Sequence, residues 1–279
     1  MNKVFHFIFL FSFVLACFTD HADAQRGPEA GVMVGTAFYF GDLNNLYRLN
    51  EPGFSGGVIA RMNFDSRLCA KVNINYSRLR ANDSKSNNAF DQRRNLSFYS
   101  NVYEITPAVE INFFKYQHGS KKFFYTPYLH LGFSVFHHDP RTKLNGEVFH
   151  LRSMGTEGQI VGQEYSTVTG AWNLGTGLKI DLNYRWSLNL DLSYRSVFTD
   201  YLDDVSKLYP NMSELLSSRG ATAVALSDRS TPDINNIKMG AQGFQRGDSN
   251  DKDAFASITV GLVYFFGTLA CPSISHPIE

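Results

Sequence analysis

Polar and apolar residues alternate one by one along this chain, in segment after segment, and few folds accept that pattern. Between residues 185 and 195 the apolar positions are Trp186, Leu188, Leu190, Leu192 and Tyr194, separated by Ser187, Asn189, Asp191 and Ser193. Residues 67–77 repeat it, with Leu68, Ala70, Val72, Ile74 and Tyr76 against Cys69, Lys71, Asn73 and Asn75. Successive side chains of a strand point to opposite faces, so each segment reads as a strand with one apolar and one polar face. Residues 31–41, 54–62, 103–113, 125–135, 172–182 and 256–266 fit as well. That makes about eight strands, each of a length that crosses the apolar slab of a bilayer when tilted.

Alternation alone does not say which face points outward, because a soluble barrel alternates too, with its apolar side within. Four features favour lipid outside. The polar face is rich in small residues, among them Gly31, Gly35, Gly132, Gly175, Gly177 and Gly261, which suit the cramped interior of a narrow barrel. Large aromatics gather at strand ends in two sets: Phe38, Phe40, Phe54, Tyr76, Phe133, Trp172 and Tyr194, then Phe64, Phe113, Phe114, Phe123, Phe124, Trp186 and Phe266. If strands alternate in direction, these sets become two interfacial belts. The connections alternate short (63–66, 183–184, with a middling link at 115–122) and long (137–167, 196–252), as periplasmic turns and external loops do. The last strand ends Val263-Tyr264-Phe265-Phe266, like the closing strand that outer-membrane assembly machinery reads. The expected fold is all-β: an eight-stranded antiparallel transmembrane barrel over residues 25–266, in the outer membrane, with a tail at 267–279.

The first 24 residues read as an export leader. Lys3 precedes an apolar stretch over residues 4–16, and Ala22-Asp23-Ala24 gives a small-x-small site that places cleavage between Ala24 and Gln25. The stretch is short for a bilayer span. Val14-Leu15-Ala16-Cys17 loosely matches a lipoprotein signal, the second possibility. Beyond the leader no segment has the roughly 18 uninterrupted apolar residues of a spanning helix. Cys69 and Cys271 remain after processing; one pair in an exported chain is no disulfide framework, and two free thiols is an equal reading. Composition agrees with contact to lipid: 14% aromatic is high, and 19% charged is low. Lys+Arg 26 balances Asp+Glu 26, so nothing suggests nucleic acid as a partner.

An eight-stranded interior is filled by its own side chains. Arg61, Lys71, Glu104, Glu110, His130, Lys179, Asp181, Asp191 and Arg195 fall on the polar face and are expected to form a salt-bridged plug, which makes an open porin the wrong reading. Candidate chemistry is thin. His137-His138-Asp139 has metal-ligand types, but strand neighbours face opposite ways and no spaced third ligand appears, so a loop tip is the favoured reading. Asp200, Asp203 and Asp204 lack calcium-loop spacing and read instead as a salt-bridged loop anchor, with Arg93 or Arg94 as partner. No cofactor is implied, and a rim enzyme is the weakest hypothesis. Residues 207–245 read as a mobile external loop with one short helix near 213–218.

Several loop motifs, in order along nearly the whole mature chain, resemble PorG-like outer-membrane barrels of the Bacteroidota type IX secretion system. They are Tyr39-Phe40-Gly41-Asp42-Leu43-Asn44, Arg94-Asn95-Leu96-Ser97-Phe98, Gly155-Thr156-Glu157-Gly158-Gln159, Thr199-Asp200-Tyr201-Leu202-Asp203-Asp204-Val205-Ser206, and Arg246-Gly247-Asp248. The resemblance implies a non-enzymatic part of a secretion machine that contacts a periplasmic ring. The basic turn with Lys115, His118, Lys121 and Lys122, together with the tail, would offer the contact. The competing reading is a stand-alone barrel, an adhesin or envelope-stabilising protein whose external loops bind something.

Overall fold

A computed structural model describes residues 27–267. The leader with Ala24 and Gln25, Cys271 and the rest of the tail lie outside the described residues. Among the described residues ten strands form: β1 (Gly27–Phe40), β2 (Gly53–Asn63), β3 (Leu68–Asn82), β4 (Ser97–Asn112), β5 (Tyr125–His137), β6 (Pro140–Leu144), β7 (Glu147–His150), β8 (Val168–Asp181), β9 (Trp186–Val197) and β10 (Ala254–Phe265). Eight of them make an antiparallel meander that β1 closes by pairing with both β2 and β10, while β6 and β7 form a side hairpin on β4. Closure leaves no backbone edge to face hydrocarbon. Among the described residues no helix is long and apolar enough to cross a membrane; this chain crosses with strands.

The apolar face points outward. Val32 is 62% exposed and Leu174 57%, whereas Glu110 and Lys179 are 0% exposed, the inverse of a soluble barrel. The aromatic sets cluster on the wall as two groups: Phe54, Tyr76 and Tyr103 with Phe133, Trp172 and Phe198 towards the long loops, and Trp186, Tyr264 and Phe266 with Phe114 and Tyr125 towards the short turns. Phe38 and Phe40 depart from this, because Tyr47 packs on Phe40 and both phenylalanines are buried against Ala254. Small residues make room inside: a Cβ on Gly175 would stand 2.3 Å from the His130 ring, so only glycine lets that side chain cross the lumen.

Three strand starts fall at least four residues earlier than expected, and β3 ends later. β1 begins at Gly27 rather than Gly31, β4 at Ser97 rather than Tyr103, and β8 at Val168 rather than Trp172. The reason for β3 and β4 is a change of phase. Below Ser77 the inward positions of β3 are polar; above it they are Leu79 and Ala81, while Arg78 and Arg80 point out. On β4, Phe98 and Val102 point in. The hairpin has left the membrane there, so water lies outside and a small apolar core within. Pro107 sits mid-strand on β4, with no bulge. The β4–β5 ladder keeps its register but skips Thr106 and Pro107, and Thr106 Oγ1 hydrogen-bonds Ser134 Oγ at 2.8 Å across the gap.

Candidate functional site

Three sites follow from this architecture: the lumen, the external mouth and the turn between β4 and β5.

In the lumen Arg61 is the hub. Its Nη1 donates to Glu29 Oε2 at 2.6 Å, its Nε lies 3.1 Å from Glu110 Oε1, and its Nη2 donates to Asn189 Oδ1 at 3.2 Å. Glu110 also pairs with Lys71 at 3.5 Å and with Lys179. Lys71 reaches Asp191 at 3.2 Å, and Tyr128 Oη donates to the same carboxylate at 2.7 Å. Three cations (Arg61, Lys71, Lys179) thus meet three anions (Glu29, Glu110, Asp191) on buried side chains. Burying charge without such balance costs several kcal/mol per ion. Lys71 Nζ lies 3.0 Å from His130 Nδ1; an ammonium only donates, so Nδ1 accepts and His130 carries its proton on Nε2, donating to Asn173 Oδ1 at 3.0 Å. One layer higher, Arg195 makes a two-pronged pair with Glu104 at 3.0 and 3.1 Å. All nine residues expected inside project inward, though Asp181 lies at the lower rim and pairs with the turn rather than with the hub. Glu29 precedes Gly31, where the clear apolar alternation of this strand opens, but the inward phase continues back through Glu29 and Gly27.

At the mouth, loops fold over the barrel and bury Leu43, Leu96, Leu151, Leu202, Val205 and Leu226 on the inward ends of the strands, against Tyr39, Phe98, Phe136 and Phe255. The segment expected as a mobile loop with one helix carries two, Met212–Arg219 and Ala221–Ser227, and packs Leu215, Ala223 and Leu226 inward. The expected loop anchor needs correction. Arg94 pairs with Asp83 at 2.8 Å, and Arg93 with Asp233 at 3.6 Å; neither reaches Asp200, Asp203 or Asp204. The cation that reaches Asp204 is Arg246. It is 2% exposed, donates to the Asp204 carbonyl at 2.6 Å and to Glu157 Oε1 at 3.0 Å, and lies 3.8 Å from Asp204 Oδ2. Arg94 Nη1 in turn donates to the Arg246 carbonyl at 2.7 Å. The motif at 246–248 is therefore a loop tie, with its arginine buried. Asp203 and Asp253 both face the Tyr39 hydroxyl, at 2.6 and 2.7 Å. Burial and neighbouring carboxylates push Asp200 up to about 7 and Asp42 up to about 6.

His137 and His138 face opposite ways, as strand geometry requires. His138 is buried beside Tyr165, not at a loop tip, and burial lowers it to about 4. Asp139 is occupied by Arg141 at 2.7 Å and His150 at 2.9 Å. Among the described residues no group of three or more His, Cys, Asp or Glu side chains is arranged to hold a metal. A cavity of about 330 Å³ opens at the mouth, lined by Asp42, Asn45, Tyr47, Phe90, Asp248 and Lys252 among others.

In the β4–β5 turn Lys121 and Lys122 are exposed, and Lys115 and Lys122 lie over the Phe123 ring at 5.3 and 5.4 Å. His118 is not on that surface, which corrects its assignment as a contact. It is 4% exposed, with Nε2 3.0 Å from Glu29 Oε1 and Nδ1 2.8 Å from Asp181 Oδ1. Both carboxylates only accept, so both ring nitrogens donate and the imidazolium is favoured. Those hydrogen bonds raise its pKa against the opposing cost of burial. Cys69 is buried, and its Sγ donates to Asn63 Oδ1 at 3.0 Å.

A closed meander with a hydrocarbon-facing apolar wall, two aromatic groups and a filled lumen defines a small outer-membrane β-barrel. The family model described as Domain of unknown function (DUF6089) matches residues 3–219, most of the chain, and the protein belongs to that family. Among curated proteins nothing matches the sequence. Solved barrels that it is similar to include the attachment invasion locus protein Ail of Yersinia pestis, 10% identical over 86% of this chain and 99% of that one, with a TM-score of 0.40. Neisserial surface protein A is 11% identical over 87% and 98%, with a TM-score of 0.41. OprG of Pseudomonas aeruginosa is 8% identical over 88% and 99%, also at 0.41. At such distances these likenesses carry no functional argument.

Proposed function

We propose that this protein is a non-enzymatic, non-conducting anchor of the outer membrane, serving a type IX protein secretion machine by contact with its periplasmic ring. The observation that carries the anchor reading is the lumen: Arg61, Lys71 and Lys179 with Glu29, Glu110 and Asp191 fill the barrel with balanced charge, and an apolar cap closes the mouth above it. A barrel closed twice is built to hold position and present surfaces. The secretion role rests on the loop motifs shared with PorG-like barrels. Three of these supply the mouth's structural ties, Arg94 to Asp83 and Arg246 to Glu157. The turn bearing Lys115, Lys121 and Lys122, on the short-turn side, offers a basic surface suited to an acidic partner face. Two experiments test this. Planar-bilayer recording of the purified protein should give no steady porin-like conductance; a stable open channel overturns the anchor. Exchanging Lys121→Glu with Lys122→Glu should abolish co-purification of ring proteins from native membranes; unchanged recovery overturns the contact.

The second reading is a stand-alone barrel that binds a ligand outside. The mouth cavity between Tyr47, Phe90 and Asp248 favours it. A deletion strain that secretes its cargo normally but loses surface attachment would select that reading.

A further inference from the structure

Tyr39 poses a problem of proton count. Its hydroxyl has one hydrogen, yet it stands 2.6 Å from Asp203 Oδ2 and 2.7 Å from Asp253 Oδ1. It can donate to one of them. The other contact is a hydrogen bond only if that carboxyl carries a proton and donates to the tyrosine oxygen. The second oxygen of each acid is already used as an acceptor: Asp203 Oδ1 takes the Val205 N–H at 2.8 Å, and Asp253 Oδ2 takes the Leu202 N–H at 2.8 Å. Both acids are 1% exposed. The charged neighbours do not help. Asp42 from the β1–β2 loop and Asp200 from the same loop as Asp203 add negative charge. Arg246 is engaged by Glu157 and Asp204, and Arg94 by Asp83 and the Asp42 carbonyl. Among the described residues no cation donates to either acid, and no metal-binding group stands nearby. Two ionised carboxylates facing one hydroxyl in an apolar core are strongly disfavoured, and such pairs hold a proton between them.

We propose that the external cap is latched by one proton shared between Asp203 and Asp253 through Tyr39, so that the mouth is closed at neutral and acidic pH and opens when that proton is withdrawn. The latch joins three elements: β1 through Tyr39, the β9–β10 loop through Asp203, and the entry to β10 through Asp253. It also orders the loop backbone, because the acids hold the Leu202 and Val205 N–H groups. Loss of the proton to solvent base leaves two like charges beside Leu43, Leu202 and Val205, and segment 199–206 lifts away. The inference does not depend on the secretion role.

The test is amide hydrogen exchange of the full mature chain in lipid nanodiscs across neutral to alkaline pH, corrected for intrinsic exchange. Protection at residues 202–206 should fall about tenfold per pH unit above the transition, the response to one released proton, while the amides of β9 and β10 at mid-membrane stay protected. Asp253→Asn supplies a permanent donor to Tyr39 and still accepts from Leu202, so it should remove the pH response; Asp203→Asn should act alike. Infrared spectra of the wild type should show a protonated carboxyl band at neutral pH that vanishes with the cap's protection. Flat wild-type protection, an unchanged response in both asparagine variants, or no such band overturns the latch. So does loosening at neutral pH on treatment with a chelator, which would put a metal ion in the proton's place.

Discussion

Arg61 and Phe255 project into the same barrel, and the regions around them exclude water by opposite means. Near the short turns the lumen is ionic: Arg61, Lys71 and Lys179 are satisfied by Glu29, Glu110 and Asp191, the six residues coming from six different strands. Near the long loops it is an apolar core of Phe98, Phe136, Phe255, Leu202 and Leu226. The difference follows from what surrounds each region. At membrane depth the outward face must be greasy, so polar residues are left for the inside, where they have to neutralise one another. Above the membrane the outside is wet, so the strands turn their apolar side inward and gain from the hydrophobic effect as any soluble core does. The ionic region depends on every partner being present. The apolar region tolerates loss in proportion to the atoms removed.

Removing one hub partner tests this contrast most severely. Glu110→Ala strips the shared anion from Arg61, Lys71 and Lys179, and should cost about 3–5 kcal/mol or prevent folding; reversible denaturant unfolding in lipid vesicles reads it. A loss below about 1 kcal/mol would mean that water, not Glu110, compensates those cations. In the cap, Leu202→Ala should cost about 2–4 kcal/mol locally. Limited proteolysis should then cut within 198–211 while the barrel's own unfolding midpoint holds. If the barrel melted earlier too, the two regions would be one cooperative unit. The turn below the hub should respond to pH. The His118 pKa is raised in the fold, so its contribution is present in full below about 6.5 and disappears as pH rises through the raised value. Ring-proton NMR of His118 should show that upward displacement, and the amides of 116–123 should lose protection as the ring deprotonates; a titration at or below the ordinary histidine range would contradict the double hydrogen bond. The smallest effect belongs to the exposed pair Arg93–Asp233: Arg93→Ala should move the unfolding free energy by under about 0.5 kcal/mol.

What was readable in the sequence divides along the same line. At membrane depth lipid imposes a fixed outward face, so period-two alternation located the spanning segments and the inward charges from Arg61 to Arg195. That legibility ends where the phase inverts, at Ser77 and Tyr103, because the apolar side no longer faces out there. Leu79, Ala81, Phe98 and Val102 break that rule and could have been found as alternation continuing with reversed sign. Glu29 was hidden by a strand start placed four residues late. The loop ties were out of reach for another reason. Arg246 meets Glu157 across 89 positions of chain, and no local period reports such a meeting; Arg93 and Arg94 were merely nearer in kind.

The inversion on β3 and β4 has a consequence for assembly. In a sheet with one greasy face, slipping a strand by a single residue carries the whole greasy row to the other side. Here the same slip would drive Lys71 and Glu110 into lipid and, a few rungs up the same hairpin, swing Leu79 and Phe98 out into water. Two penalties of opposite character punish one mistake, so this hairpin is a fixed ruler against which the other six staves can be set.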